Sequence, residues 1–151
     1  MENANAVSRG RKIVVQMVET FKAGGVPTFV DSLDAIEVGK RAKMPLAPIM
    51  IYGDDVSHVV TEEGIAYLYK AQTIEERKQA LAAVAGVTSI GLRADSKQTE
   101  LLRERQIVAH PEDLGIRRLD AKRSLLAARS VEELVEWSGG LYQPPAQFRS
   151  W

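Results

Sequence analysis

The residues in this sequence best suited to chemistry are carboxylates in the stretch from 50 to 70, where they stand between apolar runs. Asp54 and Asp55 follow Gly53 in a predicted turn after one such run. One interpretation is a pair of carboxylates at a strand end, where open α/β sheets bind their ligands. The other is turn chemistry, since aspartate accepts hydrogen bonds from nearby backbone amides. The residues alone leave both interpretations open.

A second acidic pair follows the next apolar run, where Thr61, Glu62, Glu63 and Gly64 are consecutive. A carboxylate can attack an acyl group and form an anhydride if the site excludes water. Successive side chains of a strand point to opposite faces, so only one of the two glutamates could then face a given cleft. The alternative is a pair of solvated acids at the end of a helix or strand.

The two histidines offer little further catalytic chemistry. His58 lies within an apolar run. It is either a general base, since histidine exchanges a proton near neutral pH, or a half-buried side chain bonded to a backbone carbonyl. His110 precedes Pro111, as in a surface loop. The sequence contains no G-x-S-x-G motif and no H-E-x-x-H motif.

Composition excludes several classes of function. The chain has 151 residues, with 20 basic and 20 acidic side chains, no cysteine and two histidines. This charge balance lacks the electrostatic footprint of a nucleic-acid binder or a polybasic membrane binder. Disulfides and thiolate zinc sites are excluded, and the scattered histidines predict no metal site. No apolar run approaches the roughly twenty residues of a membrane span. The sequence therefore predicts a cytoplasmic protein that binds neither nucleic acid nor membrane.

Strand patterns surround the acidic residues. Residues 13–18 form a nearly continuous β-branched run, typical of a strand buried on both faces. A turn is predicted at Gly24 and Gly25, and residues 32–41 fit no single period. The other predicted strands are residues 28–30, 49–52, 56–60, 65–69 and 107–109, the last at a sheet edge.

Helical patterns dominate the second half of the chain. Thr73 and Glu76 have capping-box spacing, with the Glu76 carboxylate expected to reach back to Thr73, and Gly86 supplies a stop. The other predicted helices run from Asp95 or Ser96 to about residue 105, over residues 119–128, and from a Ser130 cap through residues 131–135 to Gly139 and Gly140. Strands followed by helices favour an α/β layer architecture. We predict a flexible tail at residues 1–8 and one α/β domain at residues 9–151, with a helical C-terminal region.

Several longer sequence blocks can be compared with known protein families. They are RKIVVQMVET at 11–20, IYGDDVSHVVTEEGIA at 51–66, PEDLGI at 111–116, SLLAARS at 124–130 and the ending that starts WSGGLY at 137. Together they resemble the C-terminal part of the malonate decarboxylase alpha subunit family. The H-V-V-T-E-x-G-I-A block at 58–66 is also similar to one shared by the wider coenzyme A transferase superfamily.

This resemblance implies an open, largely parallel α/β sheet with flanking helices, as part of a coenzyme A transferase-like domain. It implies a transferase subunit that replaces acetyl with malonyl on the thiol of an acyl-carrier protein during malonate breakdown. The acyl thioester would sit on a coenzyme A-like prosthetic group of the carrier, with no cofactor bound covalently to this chain. The implied partners are the acyl-carrier subunit and the decarboxylase subunits of one complex.

The resemblance also bears on the site residues. Superfamily members commonly attack the thioester with a glutamate that lies before the strand corresponding to residues 12–20, and family subunits are much longer than this chain. We therefore expect the chain alone to be inactive. Glu62 is the catalytic candidate within it. The substrate-binding candidates, expected to form one wall of an acyl-transfer cleft, are Gly53, Asp54, Asp55, Thr61, Glu63 and Gly64.

A function from another class also fits the sequence. The C-terminal helices and the proline-containing aromatic tail at residues 141–151 are suited to contacts with other proteins. On this alternative, the chain is a non-catalytic module that docks other subunits of the complex.

Overall fold

A computed structural model describes residues 13–46, 53–125, 131–137, 139–140 and 143. The predicted tail at residues 1–8 and the predicted strand at residues 49–52 lie outside the described residues, as does the tail at 141–151 apart from Gln143. The strands are β1 (Val15–Met17), β2 (Phe21–Lys22), β3 (Val26–Pro27), β4 (His58–Thr61), β5 (Gly64–Ala66) and β6 (Val108–Ala109). The helices are α1 (Ala35–Arg41), α2 (Ile74–Ala83), α3 (Ser96–Glu104), α4 (Arg118–Leu125) and α5 (Val131–Trp137).

The main sheet is open, with strand order β1-β4-β5-β6. Strands β1 and β4 are parallel, whereas the β4–β5 and β5–β6 pairs are antiparallel. The α/β class with flanking helices is thus confirmed. The described part of the sheet is mixed and not largely parallel, because a short turn joins β4 to β5, and such a turn can connect only antiparallel neighbours.

One face of the sheet carries the core. Val59 of β4, Ala66 of β5 and Val108 of β6 stand on this face, and each is less than 9% exposed. Helices α2 and α3 cover it, contributing Ala80 and Leu102. The cluster is completed by Leu68, Val84 and Ile107. Alternation along β4 and β5 places the other side chains on the opposite face.

The prediction that the first strand is buried on both faces is wrong. Val15 is 50% exposed and Met17 is 66% exposed, while Gln16 between them is half-buried. A run of β-branched residues specifies an extended backbone but does not report how many layers cover the sheet.

Helices α2 and α3 begin at the capping residues that the sequence predicts. The Thr73 hydroxyl accepts a hydrogen bond from Glu76 N at 3.1 Å, as predicted for the cap of α2. The Glu76 carboxylate reaches back one residue further than expected and accepts from Gln72 N at 2.8 Å. Asp95 caps α3 through Gln98 N at 2.8 Å. In the unassigned stretch 32–41, Asp34 caps α1 by accepting from two backbone amides.

Two predicted strands differ from the structure. Residues 28–30 are not a strand; the preceding β3 pairs with β2 across the predicted glycine turn. Strand β5 ends at Ala66, and the chain then forms a 3₁₀ turn over Leu68–Lys70. The Arg77 guanidinium donates to Leu68 O at 3.0 Å, which supports this turn in place of a longer strand.

Candidate functional site

The parallel strands β1 and β4 define the part of the sheet where a ligand site is expected. Because β1 and β4 run in the same direction, their carboxyl ends meet at one edge. Open α/β sheets bind ligands beyond the carboxyl ends of parallel strands. The chain leaves β1 towards Thr20 and leaves β4 through Glu62 and Glu63, so this edge is the candidate site.

Glu62 and Glu63 connect β4 to β5, and we call these two residues the acidic turn. Thr61, the last residue of β4, holds this turn in place. Its side chain donates a hydrogen bond to Val84 O at 2.7 Å and accepts one from Glu63 N at 3.0 Å. Thr61 is only 4% exposed. The hydroxyl therefore fixes the turn against the end of α2, and the substrate-binding role of Thr61 stays a prediction.

The Glu62 carboxylate is held by the chain that follows β1. It accepts hydrogen bonds from Thr20 N, at 3.0 and 3.2 Å from its two oxygens, and from the Thr20 hydroxyl. Thr20 is 4% exposed, so these bonds are partly shielded from water. These hydrogen bonds join the segment that follows β1 to the segment that follows β4.

Glu63 points towards a different partner. Its carboxylate forms an ion pair with Arg118 at the start of α4, and Arg118 also pairs with Glu112 at 3.0 Å. The side chains of Glu63 and Arg118 are 33% and 46% exposed. The pair therefore remains accessible from solvent and brings α4 over the acidic turn.

Glycines allow the loops at this edge to approach closely. Gly86 has a φ of +62°, and a Cβ there would stand 3.1 Å from Thr20 Cγ2 and 3.3 Å from Glu63 Cγ. A side chain at this position would therefore press on Thr20, in the segment after β1, and on Glu63, in the turn between β4 and β5.

Two cavities open on either side of Glu63. The smaller, of about 190 Å³, is lined by Thr20, Glu62 and Lys122 among others. The larger, of about 410 Å³, lies between the acidic turn and the start of α3. Its lining includes the small residues Ala82, Ala83, Gly86, Gly91 and Ala94, together with Glu63, Arg103, His110 and Arg118.

Gly53, Asp54 and Asp55 lie at the other end of β4, before its first residue. Arg77 fixes this turn by donating to Gly53 O and to Val56 O, the latter at 3.3 Å. Asp54 is exposed. Neither cavity beside Glu63 is lined by this group. The substrate-binding role of these three residues stays a prediction, but the two acidic groups do not form one wall in the described structure.

His58 lies away from the acidic turn, at the start of β4. Its Nδ1 is 2.8 Å from the Ser57 hydroxyl, which itself donates to Val14 O at 2.9 Å. The rings of Tyr67 and Tyr69 stand 5.5 and 5.1 Å from the imidazole. This environment matches a packed histidine; the general-base hypothesis stays a prediction.

A charged network borders the larger cavity. Arg103 holds the pKa of Asp113 down to about 2, because its guanidinium bonds to both carboxylate oxygens. The Asp113 carboxylate also accepts from His110 N at 2.9 Å. Burial lowers the pKa of His110, and the nearby Arg103 and Arg118 cations act in the same direction.

Asp113→Asn should therefore weaken the acid dependence of stability. The folded-state pKa of Asp113 lies below its ordinary value of 3.8, so its contribution is present above that pH and is lost as the pH falls towards 2. We expect the variant to be less stable than the parent at neutral pH and to show a shallower loss of stability between these two values. Urea unfolding across the pH range measures this, with Asp54→Asn as the control. Parallel curves for Asp113→Asn and the parent would contradict it.

Within the described ranges, no three His, Asp or Glu side chains converge in a group able to hold a metal ion. In the same part of the chain, no helix has the length and apolar character needed to cross a membrane.

Two residues of this edge were missed by sequence reasoning. Thr20 could have been identified from the sequence, because the residues that follow two paired parallel strands lie next to each other at the carboxyl ends of those strands. Arg118 is 55 residues from Glu63, and no local pattern signals that contact.

Comparison with known proteins identifies the family. The family described as "Malonate decarboxylase, alpha subunit, transporter" matches residues 1–151, and the chain belongs to it. It is 59% identical over 143 residues to a Malonomonas rubra protein named "Acetyl-S-ACP:malonate ACP transferase", covering 95% of this chain and 26% of that protein. The family resemblance noted in the sequence is confirmed.

Two solved structures are similar as well. One is of a Pseudomonas malonate decarboxylase hetero-tetramer in complex with malonate; a chain in it is 68% identical, with a TM-score of 0.66, covering 94% of this chain and 26% of that one. The other is of a malonate decarboxylase alpha subunit from Acinetobacter baumannii, at 66% identity and a TM-score of 0.67, covering 99% and 27%. This chain therefore spans about a quarter of the length of these relatives.

Proposed function

We propose that this chain is part of an acyl-carrier-protein transferase subunit of malonate decarboxylase, in which malonyl replaces acetyl on the carrier thiol. The observation that carries the proposal is the 59% identity, over 95% of this chain, to the transferase from Malonomonas rubra. In the reaction, the acetyl–sulfur bond is broken and a malonyl–sulfur bond is formed. One oxygen of malonate leaves in acetate, so no oxidant or reductant is needed.

The carboxyl edge of β1 and β4 is the proposed acyl site. Glu62, the catalytic candidate from the sequence, is assigned a positioning role here. Its carboxylate already accepts hydrogen bonds from Thr20 N and from the Thr20 hydroxyl, and an engaged carboxylate is a poorer nucleophile than a free one. The attacking carboxylate is then supplied by another part of the longer subunit, as the superfamily resemblance implies.

Glu63 is proposed to form a wall of the acyl site. Gly64 lines neither cavity beside Glu63 and instead lines a separate one of about 220 Å³, so its substrate-binding role stays a prediction. The cleft of about 410 Å³ beside Glu63 is proposed to receive the thioester arm of the carrier's coenzyme A-like group. Its many small side chains leave room for a slender, flexible ligand. The proposed partners are the acyl-carrier and decarboxylase subunits, in a cytoplasmic complex.

A chimera tests this function. The segment of the Malonomonas rubra transferase that matches this chain would be replaced by this chain, and acetyl-to-malonyl exchange on the carrier thiol would be followed by mass spectrometry. We expect exchange within about tenfold of the parent rate, a difference of about 1.4 kcal/mol in barrier. The unmodified relative and a version that ends before this segment are the controls.

The chimera also separates the alternatives. Intact assembly without exchange would contradict the acyl-site proposal. Full exchange by the version that lacks this segment, with subunit association lost, would favour the non-catalytic docking module.

A further inference from the structure

The guanidinium of Arg118 contacts two carboxylates that belong to different segments of the chain. Its Nε and Nη2 donate to the two oxygens of Glu112 at 3.0 and 3.2 Å, as a bidentate fork. The remaining nitrogen, Nη1, donates to Glu63 in the acidic turn. Arg118 and Glu63 line the cleft of about 410 Å³, whereas Glu112 does not. Glu112 therefore sets the orientation of Arg118, and Glu63 occupies the nitrogen on the side of the cleft.

Arg118 differs from the other basic groups of this cleft. Among the described residues that line it, Arg103 and His110 are the others that can carry a positive charge. Asp113 takes two nitrogens of Arg103, and Glu100, on the same helix, takes the third. Burial lowers the pKa of His110 below its ordinary value of 6.5, so the neutral form predominates at pH 7. Arg118 is therefore the cation of the cleft with a partner that a ligand could replace.

The contact between Arg118 and Glu63 is suited to exchange. Their side chains are 46% and 33% exposed, and an ion pair with this access to water contributes little to stability. A ligand carboxylate in the place of Glu63 would keep the charge around the guanidinium unchanged, and the displaced Glu63 carboxylate would regain its hydration. Arginine is also the side chain whose geometry best matches a carboxylate.

We propose that Arg118 binds the free carboxylate of the malonyl group, and that Glu63 occupies this position until malonate displaces it. The inference rests on the proposed function and adds the residue that distinguishes the two acids. Malonate and acetate each offer one carboxylate for joining to the carrier thiol, but only malonate retains a second carboxylate afterwards. Arg118 therefore favours the incoming malonyl group over the outgoing acetyl group.

A comparison of the two acids tests this specificity in the Malonomonas rubra chimera. Exchange on the carrier thiol would be measured with malonate and, separately, with isotopically labelled acetate. Labelled acetate breaks one acetyl–sulfur bond and forms another, so the chemistry is the same without the second carboxylate. The measured quantity is kcat/KM for malonate divided by kcat/KM for acetate.

Arg118→Gln should lower this ratio at least tenfold, because a charge-assisted contact made only by malonate is lost. Arg118→Lys should recover part of the ratio, since lysine keeps the positive charge but not the fork. Arg117→Gln is the matched control. The Arg117 side chain is 84% exposed, pairs with Asp120 and does not line the cleft, so the ratio should stay within about twofold of the parent.

Calorimetric binding of malonate to the chimera gives a second measurement that needs no exchange. Glu63→Gln removes the charge that competes with malonate for Arg118, so Kd should fall at least threefold. Arg118→Gln should raise Kd at least tenfold. In each case, the parent chimera is the reference.

Two patterns would overturn the proposal. Equal losses of malonate and acetate exchange in Arg118→Gln would show that Arg118 only holds α4 against the acidic turn. Weaker malonate binding by Glu63→Gln than by the parent would contradict the displacement of Glu63. A parent chimera that exchanges neither acid would contradict the proposed function instead, and calorimetry would then decide the inference. An equal malonate Kd for the parent and Arg118→Gln, or no binding by the parent, would overturn it.

Discussion

Gly64→Ala is expected to destabilise the fold by about 3 kcal/mol or more, because it combines backbone strain with a steric clash against a neighbouring strand. Gly64 begins β5 with a φ of +149°, a conformation that residues with a Cβ rarely adopt. The added methyl group would overlap Ala109 O and stand 3.2 Å from His110 Cα. These are backbone atoms of paired strand β6 and the residue after it, so they cannot rotate away as a side chain could.

Gly53→Ala is the matched control for this prediction. A Cβ at Gly53 would have nothing within 4 Å, and its φ is not in the positive region. Urea unfolding should therefore show a change within about 0.5 kcal/mol for this variant. Equal stability of the two variants would contradict the close packing of β5 against β6.

The second large effect is expected where Thr20 meets Glu62. Thr20→Val and Glu62→Gln should each reduce stability by about 1–3 kcal/mol, because the first removes the hydroxyl that donates to the Glu62 carboxylate and the second replaces that charged acceptor with a neutral amide. The double variant should lose clearly less than the sum of the two, since both single substitutions break the same interaction. The coupling energy from the four unfolding curves measures this contact directly.

Thr28→Val controls for the loss of a buried threonine hydroxyl. Thr28 Oγ1 is buried and has no hydrogen-bond partner among the described residues. Its removal should be neutral or slightly stabilising, in contrast to Thr20→Val. Additive effects of Thr20→Val and Glu62→Gln would show that the two side chains do not act together.

The parts of the fold that follow from the sequence are those with a local physical cause. Thr73 and Asp95 begin helices because their side chains accept hydrogen bonds from amides three residues later. The apolar run at residues 56–60 likewise predicts a strand, and β4 occupies His58–Thr61. In each case, the interacting groups lie within a few residues of one another, so a short window contains the whole interaction.

The candidate site was only partly predictable, because its contacts join distant segments. The sequence singles out Glu62 and Glu63 as acidic residues after a strand. Their partners Thr20 and Arg118 are separated from them by 42 and 55 residues. Pattern alone also grouped Asp54 with Glu62, although β4 lies between them and places them at opposite edges of the sheet. The direction of a strand, and not closeness in sequence, decides which acidic residues share a cleft.

The most direct test of where the acyl site lies is the rate of acetyl-to-malonyl exchange in the Malonomonas rubra chimera carrying either Glu62→Gln or Asp54→Asn. If the carboxyl edge of β1 and β4 is the acyl site, Glu62→Gln should lower kcat/KM at least tenfold, about 1.4 kcal/mol. Asp54→Asn should leave kcat/KM within about twofold. The reverse pattern, with exchange lost on Asp54→Asn and retained on Glu62→Gln in equally assembled complexes, would contradict the assignment and place the site at the opposite end of β4.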